Sequence, residues 1–121
     1  MAEFKTVEEI FELENLDANA ISITGIPERH MNAVIAIAKL FVVIDHENKN
    51  FQPDFTNYRQ SKYSPIVNMD DGFSYYDCDF WYAYSGVGSR LCFESREKAK
   101  TIFNNHLELY KAFMIYQRPI K

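Results

Sequence analysis

Cysteine is nearly absent from this chain: Cys78 and Cys92 are its two thiols in 121 residues. They form neither a metal-binding spacing nor a disulfide framework. Because unpaired cysteine behaves as a small hydrophobe, both are expected as free, buried thiols in a reducing compartment. A long apolar run is missing as well. The most hydrophobic segment, AVIAIAKLFVVI from Ala33 to Ile44, spans twelve residues and carries Lys39, too short to cross a bilayer. The first residues, MAEFKTVEEIFELE, lack the basic region and apolar stretch of a secretory signal, so a cytoplasmic protein with no membrane partner is expected.

Positive charge is also in short supply. The net charge is −4, which counts against a protein whose main work is gripping bare nucleic acid, where affinity rests on neutralising phosphates. The imbalance is uneven. Residues 1–20 hold six acids and one base, and residues 95–121 hold two acids and six bases, so the two ends differ in sign.

What the chain does have is aromatic surface. Residues are 47% hydrophobic and 16% aromatic, enough to bury a core, and a length of 121 fits a single domain, 1–121. Eight of the 22 residues in GFSYYDCDFWYAYSGVGSRLCF, Gly72 to Phe93, are Phe, Tyr or Trp. Such a stretch can be a buried sheet face, a stacking platform for nucleobases or a sticky surface for a protein.

The pattern around it predicts an α+β fold. Thr6-Val-Glu-Glu9 has the form of a capping box, with Val7, Ile10, Phe11 and Leu13 following at helical spacing, so a short helix is expected at about 7–14. Pro27 suits a helix's first turn and Glu28 its positive end. A long helix from Pro27 to about Glu47, apolar on nearly every side between Val34 and Ile44, belongs at the centre. Turn chemistry at 68–72 and 85–88, with Gly72, Gly86 and Gly88 free to take positive φ, divides the aromatic region into three antiparallel strands, about Lys62–Asn68, Phe73–Tyr84 and Ser89–Phe93. Ser95 caps a last helix from Arg96 to about Tyr116, with Ala99, Ile102, Phe103, His106, Leu109, Tyr110, Phe113 and Met114 on one stripe.

The expected architecture is thus a three-stranded meander packed against the long helix and the C-terminal helix. Strict alternation along the middle strand puts Tyr76, Cys78, Phe80, Tyr82 and Tyr84 on the core face. Phe73, Tyr75, Asp77, Asp79 and Trp81 then face outward, unless a bulge exchanges the faces partway.

Chemistry-bearing residues are sparse. Asp70-Asp71 and Asp77-Cys78-Asp79 could offer oxygen ligands to a hard cation, but Asp-Asp-Gly is itself a turn signature, and neither a metal nor any other cofactor is expected. His30, His46 and His106 read as caps or core members, with no activating context for either cysteine, and an enzyme is not expected. Gly86-Val-Gly-Ser89 followed by Arg90 lacks the spacing of a phosphate loop and reads as a hairpin. Tyr58-Arg59 and Lys62-Tyr63, with Tyr75, Trp81, Tyr82 and Tyr84, set bases near rings, as single-strand binders do. The same residue types dominate protein interface hot spots. With a negative net charge, core ranks first, protein interface second and stacking third. The candidate interaction surface is Tyr58, Arg59, Lys62, Tyr63, Tyr75, Asp77, Asp79, Trp81 and Arg90.

The motifs at Ile26–His30, Asp54–Asn57, Lys62–Val67, Gly72–Tyr75 and Val87–Ala99, above all Val-Gly-Ser-Arg-Leu-Cys-Phe, resemble those of a family of small phage and prophage proteins over roughly residues 26–116. The chain departs from that pattern at Phe55, where the family has Trp, and at Ser64, Ile66 and Val67, where it has Tyr, Trp and Phe. No catalytic residue carries over.

What the resemblance implies is a setting: an accessory protein inside a bacterial host that acts by binding, as anti-CRISPR and other counter-defence proteins do. The leading expectation is therefore a non-enzymatic inhibitor of a host defence nuclease or its RNA-guided complex, with possible RNA contact. Acidic patches would mimic phosphate or complement a basic channel. The alternatives are a nucleic-acid accessory protein using the sheet rings with Lys98, Lys100 and Lys111, and a phage structural or assembly protein that self-associates.

Overall fold

A computed structural model of the chain describes residues 4–70 and 72–119. Among these residues, four helices and a two-stranded antiparallel sheet make an α+β fold. In chain order they are α1 (Val7–Leu13), α2 (Glu28–Glu47), β1 (Lys62–Asn68), β2 (Ser74–Trp81), α3 (Arg96–Asn105) and α4 (Leu107–Met114), with a single 3-10 turn at Ser89–Leu91. Among the described residues, no helix is long and apolar enough to cross a membrane.

The capping box of α1 forms as its sequence predicts: Glu9 N–H donates to Thr6 Oγ1 at 3.1 Å, and Thr6 N–H donates to Glu9 Oε1 at 3.0 Å. The long helix α2 begins at Glu28 with Pro27 as its N-cap. Leu40, Val43 and Ile44 on it are buried, and it packs against α1 and α4. It is central, as an all-round apolar helix should be.

The meander is not what forms. After β2 the chain makes the Ser89–Leu91 turn, and the expected third strand shrinks to one antiparallel bridge, Phe93 with Tyr63. That bridge lies on β1, not on β2. Its two hydrogen bonds, Tyr63 N–H to Phe93 O at 2.9 Å and Phe93 N–H to Tyr63 O at 2.8 Å, use the edge of β1 that faces away from β2. Extending this pairing would set Leu91 opposite Pro65, which has no N–H to donate. A third strand therefore stops after its first bridge. Gly72 and Gly88 adopt positive φ at the two turns, whereas Gly86 does not.

The middle strand also departs from strict alternation. Ile66 pairs with Asp77 but Val67 pairs with Tyr75, so Tyr76 is an extra residue, a bulge that exchanges the faces of β2. Phe73 and Tyr75 consequently turn inward, and Tyr76 points to solvent. Beyond the bulge Cys78 is buried, while Phe80 stacks on its partner Tyr63 at 5.4 Å and stays partly open. Of the expected core face, Cys78 alone is buried. Tyr76, Phe80, Tyr82 and Tyr84 are all exposed. The strand ends at Trp81, opposite Lys62, because β1 supplies no residue beyond it to pair with.

The expected single C-terminal helix is two. His106, with φ −124° and ψ 35°, leaves the helical region after Asn104-Asn105, a pair whose side chains compete for backbone hydrogen bonds. The helix α3 covers both strands, and after the break α4 lies along α2. The predicted stripe nevertheless points inward throughout. Phe103 is its centre, fully buried, with ring centroids 5.5 Å from Phe73, 6.2 Å from Tyr75 and 4.8 Å from Tyr110.

Two outcomes follow for stability. Phe103→Ala should cost about 3–5 kcal/mol in urea unfolding, whereas Tyr76→Ser, at the solvent-facing bulge, should stay within about 0.5 kcal/mol of wild type. The buried His106 ring stacks on Phe4 at 5.6 Å, and burial holds its pKa below the ordinary 6.5 despite the nearby Glu47 carboxylate. The unfolded chain then binds that proton more readily than the folded one. Stability is fully present above about pH 6.5 and is lost as pH falls toward the lowered value. The drop in urea midpoint from pH 7.5 to 5.5 should be smaller in His106→Leu than in wild type; equal drops would refute the assignment.

Candidate interaction face

The helix α3 occupies one face of the sheet, and the other face lies open. Cross-strand pairing places Lys62 with Trp81, Ser64 with Asp79 and Ile66 with Asp77 on that open side. Trp81 is 49% exposed, and Tyr76, on the bulge near the other end of the strand, is 71% exposed. Just past the strand, Tyr84 is 75% exposed and meets Trp81 edge-on at 6.2 Å; Tyr82, 43% exposed, meets Phe80 edge-on at the same spacing. The result is a ring-rich end of β2 that no other element covers among the described residues.

One residue organises that end. Lys62 is 4% exposed, and its ammonium donates to Asn57 O at 3.0 Å and Tyr82 O at 2.6 Å while lying 5.1 Å from the centre of the Phe55 ring. A buried ammonium must have its donors satisfied. Here it obtains them from two backbone carbonyls on separate segments, and so ties the 54–60 loop to the end of β2. The loop is itself closely bonded. Asp54 N–H donates to Gln60 Oε1 at 2.7 Å, Thr56 N–H and Oγ1–H donate to Asp54 Oδ1, and Arg59 N–H donates to Asn57 Oδ1. The Thr56 hydroxyl and N–H hold the Asp54 carboxyl below its ordinary value. Tyr58, 70% exposed, and Arg59 project from this loop.

The acids of β2 are held as well. Trp81 Nε1–H donates to Asp79 Oδ2 at 3.0 Å. Asp77 Oδ1 accepts from Cys78 N–H at 2.8 Å and from Arg96 Nη1, while the same Arg96 nitrogen donates to Cys78 O at 3.3 Å. Asp77 and Arg96 are both about half exposed, so their charges are largely screened by water.

Of the residues the sequence nominates, Tyr58, Arg59, Asp77 and Trp81 are exposed. Lys62 is a buried staple instead of a surface base, because the 54–60 loop folds over it. Tyr63 and Tyr75 belong to the core, Tyr75 because the bulge turns it inward onto Phe103. Burial and a hydrogen bond from its hydroxyl to Cys78 Sγ at 3.2 Å push its pKa up to about 12. Asp79 is half-buried beneath the Trp81 indole. Arg90 is exposed but directed to α2, its guanidinium 5.2 Å from the centre of the Phe41 ring. Strict alternation places Tyr76 and Tyr84 inward, yet they are the most open rings of β2 and its extension. For Tyr76 the signal is the bulge that the sequence allows; Tyr84 is open because β2 ends at Trp81.

Both thiols are free and buried, and burial raises the pKa of each, which keeps them protonated and poorly nucleophilic. Among the described residues, no group of three or more His, Cys, Asp and Glu is placed to hold a metal ion. Asp71, half of the Asp70-Asp71 pair, lies outside the described residues.

Lys62→Met tests the staple. Losing two charge-assisted hydrogen bonds, offset by no longer desolvating an ammonium, should destabilise by about 1–3 kcal/mol. Amide exchange should accelerate selectively at residues 57–60 and 82–84. Unchanged exchange there would show that Lys62 does not hold the loop. Comparison of this chain with protein-family models, with curated proteins and with solved structures found no match in any of the three.

Proposed function

We propose that this chain works by binding, as a non-enzymatic inhibitor directed by a phage or prophage against a host defence nuclease or its RNA-guided complex. The observation that carries the binding part is the row of exposed rings along β2 and just past it, Tyr76, Trp81, Tyr82 and Tyr84. Open aromatic patches of this kind mark interaction sites on small proteins, and Tyr and Trp are the types that dominate interface energetics. The motif from Val87 to Ala99, with its resemblance to small phage proteins, supplies the setting.

The electrostatics of the patch favour a protein over a bare nucleic acid as the first contact. Asp77 and Asp79 stand among the rings, and most of the bases nearby are otherwise engaged, Arg59 on the 54–60 loop being exposed. Lys62 is buried, Arg96 is paired with Asp77, Lys100 lies 5.5 Å from the centre of the Tyr75 ring, and Arg90 lies over Phe41. An acidic, aromatic surface complements a partner with a basic channel or rim.

Tagged protein captured from host lysate, with and without RNase, tests this reading. One nuclease complex recovered in near-equal amount is expected, and purified complex should be inhibited in its cleavage. The Trp81→Ala/Tyr84→Ala variant, altered only at exposed rings, should fold normally and bind about thirtyfold more weakly. Heterogeneous RNA or DNA without a stoichiometric protein would sink the proposal in favour of nucleobase stacking, and a defined homo-oligomer with no partner would point to an assembly role.

A further inference from the structure

Among the described residues, the two-stranded sheet leaves one edge of β2 without a strand, since β1 pairs with β2 on one side and with Phe93 on the other. The register tells which backbone groups point to that edge. Tyr63 spends both of its backbone groups on Phe93, away from β2, so Tyr63–Phe80 is a non-hydrogen-bonded pair. The Pro65–Cys78 pair, two residues on, is of the same kind, as a proline without an N–H requires. Phe80 and Cys78 therefore aim their N–H and C=O groups outward, where a further strand would collect them.

At Cys78 those groups are already met by side chains. Its N–H donates to Asp77 Oδ1 and its C=O accepts from Arg96 Nη1, so the Asp77–Arg96 pair occupies one strand position. The pair imitates what a neighbouring strand would provide. Both side chains are about half exposed, which makes it a weak latch that an incoming strand could displace.

We infer that the β2 edge from Cys78 to Trp81 is a strand-addition site for an extended partner segment with basic residues two apart, and that Arg96 is the latch that segment displaces. Asp77 and Asp79 share the open face of β2, so residues facing them on an added strand are also two apart, and lysine or arginine there would take the place of Arg96. The residues between would lie beside Cys78 and Phe80 on the apolar side, and should themselves be apolar. A second copy of this chain is a poor occupant. Antiparallel pairing of Cys78 with Cys78 of another copy sets Asp77 against Asp79, and pairing of Cys78 with Phe80 sets Asp79 against Asp79. Main-chain pairing of this kind gives affinity, and alternate side chains give selectivity.

The inference deepens the binding reading above and rests on it, but it is tested on the purified chain, so its failure is seen separately from a failed capture from lysate. The probe is the capped peptide Thr-Lys-Val-Arg-Val-Lys-Val-Thr, with binding followed by fluorescence of Trp81, the single tryptophan, and by amide exchange. Binding should slow exchange at the Phe80 amide. The same peptide N-methylated through its six central residues keeps its charges and loses its donors, and should bind at least about tenfold more weakly. Arg96→Ala should strengthen binding of the unmodified peptide by up to about fivefold, the competition a surface pair can offer. Equal binding of the two peptides, or no gain in Arg96→Ala, would overturn the inference. Self-association of Arg96→Ala without peptide would overturn it too, by giving the edge to a second copy.

Discussion

A two-stranded sheet cannot enclose a core by itself, and everything in this molecule is arranged around that constraint. One face must be covered by something else, and α3 covers it, with the buried Phe103 ring meeting Phe73, Tyr75 and Tyr110. Since α3 is spent on that face, the opposite face receives, among the described residues, only the 54–60 loop over one end, fastened through Lys62. The remainder stays open. The exposed rings thus follow from having two strands and one covering helix.

Proline and a bulge decide why the sheet is so small and so oriented. Pro65 offers no donor to a strand arriving along Phe93, which confines that side of β1 to a single bridge. Tyr76 inserts an extra residue into β2 and exchanges its faces, so that Phe73 and Tyr75 reach the core from one end and Cys78 from the other. Without the bulge, the inward set would include Tyr76 in place of Tyr75. The bulge therefore chooses which tyrosine is structural and which is available to a partner.

The uncovered parts of β2 fall into two kinds, its rings and its backbone edge. Rings supply area for binding without specifying a direction, whereas an open edge specifies both direction and register. The Asp77–Arg96 pair sits where the two meet. It neutralises a charge on the open face and occupies a backbone position on the edge, which is how edge strands are commonly kept from pairing indiscriminately.

Local chemistry made much of this legible in the sequence. The α1 capping box, the apolar α2, the Ser95 cap and the inward stripe from Ala99 to Met114 all depend on residues three or four apart, and they appear as expected. What local pattern could not show were the outcomes of long-range pairing. The missing third strand depends on Pro65 meeting Leu91. The exposure of Tyr76 depends on a register shift, and that of Tyr84 on the strand ending at Trp81. The burial of Lys62 depends on a loop that closes over it from eight residues earlier, where Asp54 bonds to Gln60. By itself the sequence determined α1, α2, the capped start of α3 and the surplus of aromatic residues, because those follow from side chains and their near neighbours, whereas the break at His106 is not foreseen. Only the tertiary structure decided which rings face water, because in a sheet a residue's face is set by its partner across the ladder, and one inserted residue reverses it.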